Sequence, residues 1–145
     1  MANVFDVAQY IRDKTGQIST IKLQKLVFYS KAWSLVWDED PLFPEEVQAW
    51  ANGPVVPDLY EAHRGMFFSP EKFEQADVSR LTDAQKETVD VVLGAYSHLS
   101  PQGLVSLTHS EKPWIEARQG IPDYEICHNP ISDASIAEYY SLIRC

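Results

Sequence analysis

The stretch Thr20–Trp37 constrains this chain more than any other. Leu23, Leu26, Val27, Ser30, Trp33, Ser34 and Trp37 recur with the 3.6-residue period of an α-helix. Phe28 widens that stripe, so most of the helix circumference calls for burial. Such a helix cannot lie on a surface; it belongs at the centre of a core, wrapped by other elements. Ser19 or Thr20 can accept the unpaired amide protons at its start. Two serines in the stripe leave room for a neighbouring backbone. Lys22, Lys25 and Lys31 are placed outside the stripe.

Its neighbours read as shorter helices. One covers 3–15, capped by Asn3, with Phe5, Val7, Ala8 and Ile11 on one face and Gly16 as its stop. Pro57 suits the first turn of a helix over 57–63, ended by Gly65. Ser69-Pro70-Glu71 starts another in the same way. Thr82 and Gln85 have capping-box spacing and open a helix reaching Leu99, with Thr88, Val91, Val92, Ala95 and Leu99 as its stripe. Ser100-Pro101 begins a helix with Leu104 and Leu107. Ser110 caps a turn with Pro113 and Trp114 that closes near Gly120. Ser132-Asp133 opens a last helix carrying Ile136, Tyr139, Tyr140 and Ile143. The expectation is a mainly α protein, one compact domain over 1–145 with six to eight helices.

The exception is the segment 38–57. Pro41, Pro44, Pro54, Pro57 and Gly53 exclude a continuous helix, and Asn52-Gly53-Pro54 is a strong turn signal. Val55 and Val56 precede proline and favour extended backbone, so a short strand or hairpin is expected within about 41–57. Phe43, Val47, Trp50 and Val55 are large apolar groups for a loop. They are either packed on the core or offered to a partner.

Charge and chemistry narrow the function. The net charge is −9, from 12 basic and 21 acidic side chains, which repels phosphate and suits either solubility alone or a partner with a basic face. Residues 1–31 hold Arg12, Lys14, Lys22, Lys25 and Lys31; residues 32–63 hold only acids among their Asp, Glu, Lys and Arg. These form two opposite patches or neutralise each other. Cys127 and Cys145 fit no disulfide framework and no metal-ligand spacing. No secretory leader or membrane span is read, so the expected compartment is the cytoplasm. G-x-S-x-G, H-E-x-x-H, P-loop and G-x-G-x-x-G patterns do not occur, and His109 beside Glu111 marks no nucleophile. No cofactor and no enzymatic activity are expected. The first two helices superficially suggest a helix-turn-helix, but the second lacks the polar base-reading end that DNA recognition needs.

The run from Ile18 to Ser30, with Ser19, Lys22, Leu23, Gln24, Lys25 and Leu26, resembles the S-x-x-K-L-Q-K-L-L-Y-Y signature of SocA-like antitoxins, the Panacea domain family. Pro41-Leu42-Phe43, Ala49-Trp50 and Gly53-Pro54-Val55-Val56-Pro57 with Leu59-Tyr60 match a second block. Leu81-Thr82, Leu107-Thr108-His109, Pro113-Trp114 and Ala117-Arg118 match a third. The resemblance runs from about Val4 to Ile143, with Phe28-Tyr29 in place of a Tyr-Tyr pair.

This resemblance implies a helical, phage-associated domain of bacterial toxin–antitoxin pairs that binds and blocks toxins of unrelated kinds. Some members deliver the toxin to a cellular protease, and some carry an added DNA-binding domain for which this chain has no room. The expected partner is a cognate toxin encoded by the adjacent gene. The residues nominated to bind it are Lys22, Lys25, Trp33, Trp50, Gly53, Pro54, Val55, His109 and Trp114. The alternative reading is that these motif positions are mostly the core that defines the fold. Variable surface is the other source of an interface: Lys31, the acids at 38–46, or Phe67-Phe68, which are otherwise expected to pack beneath the helices.

Overall fold

The computed structural model describes residues 2–143. Its elements run α1 (Val4–Thr15), α2 (Thr20–Trp37), β1 (Val47–Trp50), β2 (Gly53–Val55), α3 (Pro57–His63), a 3₁₀ turn (Val78–Arg80), α4 (Asp83–Tyr96), α5 (Pro101–His109), α6 (Lys112–Ala117), β3 (Pro130–Ile131) and α7 (Asp133–Ile143). Seven α-helices are thus present among the described residues, and the protein is mainly α. None is long and apolar enough to cross a membrane.

Helix α2 is the axis of the core. It packs against α1, α4, α5, α7 and β2, and all residues from Thr20 to Ser34 except Ile21 and Lys22 are buried. Being enclosed on every side overturns the expectation that Lys25 and Lys31 lie outside the apolar stripe; they are 1% and 2% exposed. Each buried ammonium is given a specific partner instead. Lys31 pairs with Asp133 at 3.2 Å, donates to the Glu45 carbonyl at 3.0 Å and lies 4.9 Å from the Phe43 ring centroid.

The cap signals at Asn3, Ser19, Thr82 and Ser100 are realised as hydrogen bonds, with full capping boxes at Asn3 and Thr82. Other expectations shift. Helix α4 stops at Tyr96, and its inward face is Thr88, Val89, Val92 and Leu93, while Val91 is 50% exposed. Helix α6 is entered from Glu111, not Ser110. No helix starts at Ser69-Pro70. The Ser69 amide donates to the Ile18 carbonyl at 2.8 Å and Phe68 bridges to Ser19, so this backbone is claimed by an extended pairing.

Within the segment 38–57, residues 47–55 form a hairpin packed on the core. Strand β1 sits between β2 and β3, all antiparallel, with Gln48 opposite Val55 and Trp50 opposite Gly53. Ala51-Asn52 makes the turn, and Gly53 holds φ +108. That angle favours glycine. Here the close approach adds a second reason: a Cβ on Gly53 would lie 2.6 Å from Lys25 Cε and 2.8 Å from Thr108 Oγ1.

Candidate functional site

Gln24 and Lys25 leave α2 toward the hairpin and organise what surrounds it. The Val56 amide donates to Gln24 Oε1 at 3.0 Å. An amide N–H can only donate, which fixes the orientation of the Gln24 side chain. Its Nε2 therefore faces His63 Nε2 at 2.9 Å and must be the donor there. His63 is held as a neutral acceptor. Burial pushes its pKa below the usual histidine value, aided by the nearby Lys25 charge and partly offset by its own backbone.

Lys25 Nζ donates to the Pro54 carbonyl at 3.1 Å. Among the described residues no carboxylate pairs with it, and burial lowers its pKa from 10.5 to about 7. Behind the hairpin, Trp114 Nε1 donates to the Trp50 carbonyl at 2.8 Å, and His109 stacks on Trp114 at 3.8 Å. Burial lowers the His109 pKa as well. Arg118, 1% exposed, lies 4.9 Å from the Trp114 ring centroid and donates to the carbonyls of Ala49, Pro122 and Glu125. One guanidinium thus ties β1 to the 122–125 loop.

A cavity of about 440 Å³ opens beside this assembly. Gln24 and Lys25 of α2, Trp50 and Val55 of the hairpin, Tyr60 and His63 of α3, and the 126–128 segment line it. Trp50 and Tyr60 meet edge to face at 4.9 Å. Its rim is apolar and exposed: Ile21 is 37% exposed, Met66 43% and Ile126 81%. Beyond Met66, Phe67 and Phe68 are 67% and 46% exposed and in mutual contact at 4.7 Å. That corrects the expectation that they pack beneath the helices. Their backbone is pinned to Ser19 and Thr20, which holds these rings outside α2.

Of the residues nominated from sequence, Lys25, Trp50, Gly53, Pro54, Val55, His109 and Trp114 come together around the hairpin. Lys25, Gly53, Pro54, Val55 and Trp114 are buried there; Trp50 and His109 are partly exposed. The other two lie apart. Lys22 donates to the Ser97 carbonyl, and Trp33, 7% exposed, stacks on Trp37 at 5.0 Å and donates to Tyr96. Gln24 was visible in sequence as a polar residue in an apolar helix. His63 carried no signal, because its role depends on α3 folding back onto α2.

The family model "Antitoxin SocA-like, Panacea domain" matches residues 23–115, more than half of the chain. The chain belongs to the SocA-like antitoxin family and carries its Panacea domain. No curated protein and no solved structure matched it. The matched span contains α2 from Leu23, the whole hairpin, α3 and Trp114, which build most of the cavity and its support; Thr20, Ile21 and the 126–128 wall lie outside it.

Proposed function

We propose that this protein is the antitoxin of a toxin–antitoxin pair and silences its cognate toxin, the product of the adjacent gene, by binding it directly. Family membership is the observation that carries this reading. The surface supports it. Met66, Phe67, Phe68, Ile21 and Ile126 form an exposed apolar run along the start of α2, larger than the scattered apolar residues of an ordinary surface. Aromatic anchors of this kind dominate protein interfaces.

Within this proposal the nominated residues divide by exposure. Lys22, Trp50 and His109 are reachable by a partner. Lys25, Trp33, Gly53, Pro54, Val55 and Trp114 act by holding the platform in shape. The acidic surface, at net charge −9, favours a partner with a basic face.

The test is co-expression with the adjacent gene. The toxin alone stops growth, and this chain restores it without shortening the toxin's half-life in cells with their proteases intact. Unrelieved toxicity overturns the proposal. Rescue accompanied by accelerated toxin loss replaces direct blocking with delivery to a protease.

A further inference from the structure

We propose that the cavity between α2, the hairpin and α3 binds a small carboxylate on an aromatic or branched apolar body, the carboxylate meeting Lys25 and the body lying against Trp50, Tyr60 and Ile126. The argument for this site does not rest on the toxin-binding reading, although Trp50 and Ile126 belong to both surfaces. Three observations converge on it.

The first is charge. The chain has 21 acidic and 12 basic side chains, yet no Asp or Glu lines this cavity among the described residues. Its ionisable wall is Lys25, Tyr60, His63, Cys127 and His128. In so acidic a protein, that lining favours an anion over a cation.

The second is an unmet valence. An ammonium has three donors, and among the described residues Lys25, 1% exposed, makes one hydrogen bond, to the Pro54 carbonyl. Buried ammonium groups are ordinarily paired. A ligand carboxylate supplies the missing acceptors and the missing charge. A single lysine matches one negative charge, so a monocarboxylate fits better than a phosphate dianion.

The third is shape. The volume of about 440 Å³ falls in the range of pockets for compact ligands. Apart from the ionisable groups and the neutral polar Thr20, Gln24 and Asn52, the walls are aromatic and aliphatic, suited to a ring or a branched chain.

The purified full chain is titrated with indole-3-acetate and phenylacetate, and with the corresponding neutral amides, by calorimetry. The carboxylates bind one per chain, and the amides bind at least about tenfold more weakly. Lys25→Met, which keeps the length of the side chain, removes carboxylate binding. His128→Glu places an acid on the exposed wall, where folding is not at stake, and weakens it about tenfold. Affinity also falls as pH rises above about 7, because Lys25 must then take up a proton to bind. The groups facing Lys25 in this titration are His63 on α3 and His109 on α5, with His128 across the cavity. Absence of binding at millimolar ligand overturns the proposal. So does equal affinity for acid and amide, or binding that survives both substitutions.

Discussion

Lys25 of α2 and Glu111 at the start of α6 are both buried, one under the hairpin and the other between α2 and α7, and their surroundings differ in kind. Glu111 accepts from the Tyr29 hydroxyl at 2.6 Å and the Tyr140 hydroxyl at 2.7 Å. Tyr29 in turn stacks on Tyr96 at 4.1 Å, and Tyr140 meets Phe28 and Trp33 edge to face. Burial raises the Glu111 pKa, and the two tyrosine hydrogen bonds pull it back down. This acid is enclosed and its two partners come from two helices, so it locks α7 onto α2. Lys25 has one backbone carbonyl and an open cavity at its side. A satisfied buried charge holds a fold together; an under-satisfied one beside a cavity leaves something for a ligand to complete.

The contrast can be broken first at Glu111. Glu111→Ala strands two buried hydroxyls and should lower unfolding free energy by about 4 kcal/mol in urea denaturation. Glu111→Gln keeps the accepting oxygen and should be far milder. Its folded pKa lies above 4.5, so the folded wild type holds the proton longer and loses stability as pH rises from 4.5 through the folded value; the Gln variant lacks that loss. Next in size is Gly53→Ala. Positive φ and contacts of 2.6 and 2.8 Å should together cost about 3 kcal/mol, read as a lowered melting temperature.

Lys25→Met should raise stability by about 1 kcal/mol or more at pH 7.5, because the wild-type chain must shed most of a proton to bury this amine and Met need not. The informative quantity is the slope. The folded pKa of about 7 lies below the unfolded 10.5, so the unfolded chain binds more protons in that window. Wild-type stability should rise with pH there by up to about 1.4 kcal/mol per unit relative to Lys25→Met. Parallel curves for the two proteins would remove the account of Lys25. Phe67→Ser should be smallest, within about 0.5 kcal/mol by denaturation, while weakening toxin binding.

Much of this was legible in the chain itself. The all-round apolarity of Thr20–Trp37 located the axis of the core, and the caps at Asn3, Ser19 and Thr82 located helix starts, because both are local consequences of residue spacing. The turn at Asn52-Gly53 was legible for the same reason. What escaped was set by tertiary pairing. Ser69-Pro70 has a helix-start composition, but its backbone is taken by Ile18 and Ser19, some fifty residues earlier. Lys25 and Lys31 look like surface lysines until the elements that cover α2 are in place. Signature positions such as Gln24, Lys25 and Trp50 were recognisable as a set, whereas the cavity they share exists only once α3 and the 126–128 segment close around them.

Direct blocking of a toxin makes a quantitative demand that no other mechanism shares. The purified product of the adjacent gene, assayed with increasing amounts of this chain and no protease present, should lose activity linearly and reach zero at a fixed molar ratio, with a complex of that composition recovered by size-exclusion chromatography. Silencing by a small fraction of an equivalent, or full toxin activity in the presence of excess chain, would contradict it.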